Sequence, residues 1–204
     1  MRRHLLAAAG GYALGTIPSA DLAARLARGP GADLRDEGTG NPGAANAMGV
    51  LGKSWGAAVM VADIAKGAAA GVLGRRIAGG SGADVASTAA VVGHCLPVWN
   101  GFRGGKGVAT SVGQVIATFP PYFPIDALLA GGTVKVPGLR RPAFTATTVA
   151  TSGWVLASTL WWRRGLPNLW AAPAGPSLPV GAAVSSAVIV WRFVEAERAA
   201  GPGS

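Results

Sequence analysis

Seven apolar stretches, at about residues 4–26, 54–76, 82–99, 106–119, 122–138, 142–162 and 178–194, divide this chain and carry few charges. In lipid every backbone N–H and C=O must be satisfied within the segment, so stretches of this kind fold as helices. Half of the 204 residues are hydrophobic, 13% are charged, and 32 are glycines set among Ala, Val and Leu, where they suit close helix packing. The expected fold is all-α, a polytopic membrane bundle of about seven (six or seven) helices. One membrane-embedded domain covers about residues 1–198, and residues 199–204 form a tail with no assigned role. The fourth and fifth stretches are short: 14 residues reach roughly 21 Å against a hydrocarbon core of roughly 30 Å. The Pro120-Pro121 break between them is therefore expected to turn the chain within the membrane. Reading 120–121 instead as a bend in one long helix gives six spans and reverses the second half.

The formal charge of +9 would suggest nucleic acid in a soluble protein. Here the cations fall between apolar runs, as topology determinants and anion sites do, so no nucleic-acid partner is expected. Eleven of the eighteen Lys and Arg residues lie in the loops at about 25–53, 99–106 and 135–141 and in the C-terminal region. The positive-inside rule then puts those segments in the cytoplasm and the N-terminus outside. A cleaved signal peptide is the competing reading of "MRRHLLAAAGGYALG"; the further apolar spans favour a retained first helix. One cysteine, Cys95, and two histidines, His4 and His94, provide no metal cluster, and nothing calls for a cofactor.

Two polar, glycine-rich loops fall on one side in this topology. In "NGFRGGKG", Asn100–Gly107, the glycines 104, 105 and 107 free the backbone to approach an oxyanion, Arg103 adds a fork of donors and Lys106 a point charge. A tight turn with two interfacial cations fits the same letters. It is not a Walker A loop, because Asn100 and Gly107 occupy the positions that need Gly and Ser or Thr. In "GTGNPGAAN", Gly38, Thr39, Gly40, Asn41 and Asn46 could surround a phosphate or polyol, or simply make a turn. Asp63 and Lys66 lie three residues apart near the middle of the second span, where charges are paired, functional or both. His94 ends the third span beside the cationic loop, as a packing residue or a base. Ala9 and Trp99 stand where a His-x4-Asp acyltransferase needs its carboxylate, and the aspartate-rich pattern of CDP-alcohol phosphotransferases is missing.

The segments "GTIPSADLAARLARG", "DLRDEGTGNPGAANAMGVLGK", "VADIAKG" and "GHCLPVWNGFRGGKGVATSVG", in order over residues 15–113, resemble the bacterial acyl-phosphate:glycerol-3-phosphate acyltransferases of the PlsY type. The resemblance implies a cell-membrane enzyme, usually of seven helices, acting on acyl phosphate and glycerol 3-phosphate among membrane lipids and releasing lysophosphatidic acid and phosphate. It further implies that Lys106, Arg103 and the amides of Gly104, Gly105 and Gly107 hold acyl phosphate. Thr39, Asn41 and Asn46, shaped by Gly38 and Gly40, would orient glycerol 3-phosphate, with His94 as a base and Asp63 and Lys66 in contact with substrate. The chain departs from the family pattern at Ala45, at Gly49, which replaces an arginine, and in the C-terminal "VWRFVEAERAA", which lacks the family's His-Arg-x-Asn cluster. The missing C-terminal cluster favours the rival class, a non-catalytic membrane protein binding phospholipid precursors or a partner enzyme. A phosphate-solute transporter is the third reading, but residues 114–204 hold no repeat of the first loop.

Overall fold

The computed structural model describes residues 1–170 and 173–200, so the expected tail lies outside the described residues from 201 onward. The architecture is helical throughout: α1 (Arg2–Gly15), α2 (Ser19–Arg28), α3 (Ala44–Val50), α4 (Lys53–Cys95), α5 (Val108–Thr118), α6 (Phe123–Val134), α7 (Pro142–Arg164) and α8 (Ser177–Ala200). The first apolar stretch, expected as one span over 4–26, is two helices. Pro18 disfavours a helical conformation at Ile17, so α1 stops at Gly15 and α2 restarts at Ser19.

α4 is a hairpin, turned at Ala78 (φ −143°) and at Gly79, whose φ of 70° needs glycine. Its two arms correspond to the second and third apolar stretches. Their antiparallel pairing sets Gly74 against Gly82, where an added Cβ would lie 2.1 Å from a carbonyl oxygen, and sets Asp63 opposite His94. α1 runs alongside the second arm with Gly11 on Ala86 and Gly15 on Ala90, while α5 runs alongside the first with Gly113 on Ile64. These are backbone-to-backbone contacts that only a missing side chain permits. α8 completes the centre, with Ser177 Oγ donating to Asp84 Oδ2 (2.6 Å) and Ser185 Oγ to Gln114 Oε1 (2.7 Å). α6 and α7 pack outside it around Phe119, Tyr122 and Trp154. The loop before α4 and the loop before α5 consequently meet at one end of the bundle.

Two helical segments, Lys53–Asn100 and Ser177–Ala199, are long and apolar enough to cross a bilayer by length and composition, and the first is the hairpin. α5 has 11 residues, about 17 Å at 1.5 Å per residue. Its last carbonyls would be orphans in an apolar setting, and three side chains reach them. Arg75 Nη2 donates to Ala117 O (2.7 Å), Asn168 Nδ2 to Thr118 O (2.5 Å) and Trp170 Nε1 to Ile116 O (3.1 Å). The Arg75 guanidinium also stacks 4.8 Å from the Trp170 ring centre. Pro120–Tyr122 then forms a tight 3₁₀ turn into α6, tied to α7 by Tyr122 Oη donating to Ala150 O (2.6 Å). Arg75→Leu, which strands a carbonyl, is expected to destabilise the bundle by about 1–3 kcal/mol, read as a lowered midpoint of thermal unfolding in detergent micelles.

Candidate active site

Where the two loops meet, a narrow cleft opens at the ends of α1 and of the second α4 arm, beside the middle of the first arm. Its floor is ionic. Lys66 Nζ lies 2.9 Å from Asp63 Oδ1 and donates to Ile17 O (3.1 Å), a carbonyl exposed by the break between α1 and α2. His94 Nδ1 lies 3.6 Å from the same Asp63 oxygen. Asp63, Lys66 and His94 are 2%, 7% and 8% exposed, so this is a buried cluster whose members depend on one another. Asp63 on the Nδ1 side leaves His94 Nε2 turned towards Gly105.

The wall comes from residues that the sequence reading had not singled out. Asp21 of α2 accepts from Arg35 Nη1 (2.8 Å) through one carboxylate oxygen and from Asn100 Nδ2 (2.9 Å) through the other. Arg35 also pairs with Asp33 Oδ1 (2.8 Å), and its Nε donates to Arg103 O (3.0 Å), so one guanidinium links α2, the first loop and the second. Burial works against the Asp33 carboxylate, but hydrogen bonds from Arg35 and its charge hold Asp33 below the ordinary aspartate range. Ser19, Asp21, Arg35 and Asn100 line the cleft with the floor residues. For Ser19 and Asp21 the local signal was the "TIPSAD" break, where a proline ends a helix beside a serine and an aspartate.

Of the other expected site residues, Gly104 and Gly105 also line the cleft and the rest do not. Gly104 N–H and Gly105 N–H donate to Cys95 O and His94 O (both 3.1 Å), capping the end of α4, so these two amides are not presented to an oxyanion. Both glycines are required by space: a Cβ on Gly104 would lie 2.0 Å from His94 O, and one on Gly105 2.3 Å from His94 Nε2. Gly107 (φ 85°) caps α5, with Cys95 Sγ 2.7 Å from where its Cβ would be. Asn46 spends its amide inside the first loop, accepting from Thr39 N–H (2.8 Å) and donating to Leu34 O and Glu37 O (2.8 and 3.0 Å). That arrangement requires Gly38, whose Cβ would sit 2.2 Å from Asn46 Oδ1. The side chains of Thr39 and Arg103 are exposed and that of Asn41 half-buried; Gly40 is in an exposed left-handed turn (φ 68°). Lys106 Nζ rests 4.3 Å from the Phe193 ring centre, and burial, with Arg192 nearby, draws it below the ordinary lysine range despite the pull of Glu197. Arg192 of α8 donates to Gly104 O (2.6 Å) and Gly105 O (3.4 Å), so the C-terminal helix clamps the second loop with an arginine.

The fold and this cleft define an all-α polytopic membrane protein with a polar, ion-paired site at one end of its bundle. The sequence profile of the family described as glycerol-3-phosphate acyltransferase matches residues 5–199, and the chain belongs to that family, in its PlsY type. It is similar to the glycerol-3-phosphate acyltransferase of Synechococcus sp. (strain JA-2-3B'a(2-13)), 37% identical over 89% of this chain and 88% of that one. It is also similar to that of Synechococcus elongatus, 46% identical over 53% of this chain, a match spanning about half of that relative's length (55%). Among solved structures it is similar to PlsY (YgiH), an integral membrane glycerol 3-phosphate acyltransferase, in its glycerol 3-phosphate form. The TM-score is 0.75 at 29% identity, covering 96% of this chain and 90% of that one.

Proposed function

We propose that the chain is a cell-membrane acyltransferase that moves a fatty acyl group from acyl phosphate to glycerol 3-phosphate, giving lysophosphatidic acid and inorganic phosphate. The observation that carries this reading is the buried Asp63–Lys66–His94 cluster at the base of a cleft that Arg35 and Asn100 also line. Both substrates carry phosphate, and one carries a lipid tail. Such a pair calls for fixed cations and donors at a membrane edge.

In this reading Lys66, Arg35 and Asn100 supply charge and donors from within the cleft. Thr39, Asn41 and Lys106 approach the phosphates from the rim. A glycerol 3-phosphate hydroxyl oxygen bonds to the acyl carbon as the bond from that carbon to the phosphate oxygen breaks. The hydroxyl proton goes to the departing phosphate, and His94, oriented by Asp63, is the protein group nearest to assist. Acyl phosphate is already activated, so no stronger base is required. Gly38, Gly40, Gly104, Gly105 and Gly107 shape the two loops rather than supply the donors.

The bundle crosses the membrane seven times, counting α1 as the first passage and the two α4 arms separately, and both loops face the cytoplasm. The alternation of helix directions and the cation count support this orientation. Purified protein in micelles is expected to release phosphate from acyl phosphate only when glycerol 3-phosphate is present, and to do so without any acyl thioester. Lys106→Ala is expected to weaken phosphate-substrate affinity about tenfold to a hundredfold, the worth of a charge-assisted contact of about 1.5–3 kcal/mol. Phosphate release that ignores glycerol 3-phosphate would overturn the reaction. Ser54→Cys, with Cys95→Ala, should react with an impermeant thiol reagent only from the cytoplasmic side; labelling from outside would overturn the orientation.

A further inference from the structure

The polar end of the bundle carries apolar side chains that the acyltransferase reading does not use. On α2, Ala20, Asp21, Ala23 and Ala24 are buried against the bundle, whereas Leu22 and Leu26, one helical turn apart, are 55% and 68% exposed, with Arg25 between them. The turn after the second α4 arm does the same with Trp99 (69% exposed) and Phe102 (55% exposed), followed by exposed Arg103. Phe102 is the one non-glycine residue with left-handed backbone (φ 64°) among the described residues. The same chain would be unstrained with glycine there, so the ring is held outward at a conformational cost.

These two patches belong to one surface. Asp21, on the inner side of α2, accepts from Asn100, which lies between Trp99 and Phe102, so the helix and the turn are bonded through their buried sides while their apolar sides face out. Neither Arg25 nor Arg103 is within ion-pair distance of a carboxylate among the described residues. α2 is also short and carries two arginines in ten residues, which suits lying along a bilayer surface better than crossing it.

We propose that α2 and the Val98–Arg103 turn form an interfacial platform embedded in the headgroup layer of an anionic phospholipid bilayer, with Leu22, Leu26, Trp99 and Phe102 dipping among the upper acyl carbons and Arg25 and Arg103 on lipid phosphates. The occupant follows from charge complementarity and amphipathic shape: apolar tips next to free cations match anionic headgroups above acyl chains. The platform fixes the cleft at the depth where the phosphate of a membrane-borne amphiphile resides. It rests on the membrane fold and not on the proposed reaction, so the two can fail separately.

The test needs no turnover. Leu26→Cys and Phe102→Cys, each in the full chain with Cys95→Ala, are labelled with an environment-sensitive fluorophore. The proteins are reconstituted into vesicles of phosphatidylglycerol and phosphatidylcholine brominated either near the acyl carboxyl end or near the methyl end. Bromine near the carboxyl end should quench both labels more than bromine near the methyl end. The excess should shrink when phosphatidylglycerol is removed, and shrink less from an already reduced level in Arg25→Gln/Arg103→Gln. Absence of quenching by either lipid would show an aqueous loop, and stronger quenching by the deep bromines would show a spanning segment; either outcome overturns the proposal. Shallow quenching indifferent to phosphatidylglycerol would overturn the anionic assignment.

Discussion

Gly105→Val is expected to abolish acyl transfer although it leaves every cation of the chain in place. The first side-chain carbon would lie 2.3 Å from His94 Nε2 and 3.1 Å from Pro42 O, and neither neighbour can yield freely. His94 is buried between Asp63 and the loop, and Pro42 is the point at which the first loop closes over the second. The substitution must therefore push the two loops apart or turn the imidazole away from the cleft, at an overpacking cost of about 1–3 kcal/mol before the valine methyls are counted. The control is Gly101→Ala, four residues earlier. Gly101 has a left-handed backbone (φ 58°) but nothing within 4 Å of its missing Cβ. Its replacement should cost about 1–2 kcal/mol of backbone strain and leave the cleft closed. Phosphate release dependent on glycerol 3-phosphate, with thermal unfolding in the same micelles, separates the two. Equal activity in Gly105→Val and Gly101→Ala would refute the packing account of this loop.

Lys66→Met should be as damaging for an electrostatic reason. It leaves the Asp63 carboxylate inside the bundle with only His94 beside it, and Asp63→Asn leaves the Lys66 ammonium with only the Ile17 carbonyl. Breaking a buried pair on one side typically costs about 3–5 kcal/mol, whereas replacing both partners by neutral groups is often close to neutral. Each single variant is accordingly expected to be unstable and inactive, while Asp63→Asn/Lys66→Met recovers much of the unfolding midpoint. The double variant should still fail to transfer acyl groups, because the cleft has lost its innermost cation and the group that orients His94. A double variant that is both stable and active would reduce the cluster to a structural ion pair.

Much of the fold was legible because helix-length apolar stretches are written locally: the two α4 arms, α5 and α7 lie close to the limits read from the sequence. The chemistry was legible only where its partners are near in the chain or placed by a recognisable turn. Asp63 and Lys66 are one helical turn apart, and His94 meets them once the chain reverses at Ala78 and Gly79. Asp21 was overlooked because its partners Arg35 and Asn100 lie 14 and 79 residues away, and its one local mark is the proline break three residues earlier. Asn46 was readable as a polar group suited to a substrate, yet the amide is consumed by three backbone partners that exist only after the loop has closed. Gly104 and Gly105 read as glycines that bring the backbone to an oxyanion; in the fold a side chain is excluded at Gly104 by the carbonyls of His94 and Cys95 and at Gly105 by the His94 imidazole. Local spelling fixes which residues must be small or charged, and closure of the loops decides what each one touches.

The contacts at Gly11, Gly15, Gly67, Gly74, Gly82 and Gly113, where an added Cβ would fall 2.0–2.3 Å from a backbone oxygen of the neighbouring helix, reverse the usual map of mutational tolerance. In a water-soluble domain the large buried side chains are the hardest to exchange. In this bundle the large side chains such as Val61, Leu128 and Leu156 face outward, and one apolar group there serves as well as another. A saturation library selected for folded protein should therefore be most depleted at the smallest residues and most permissive at leucine and valine. Methyl groups added one at a time along the α4 hairpin would act as graded wedges, opening the bundle by increments without changing a single charge.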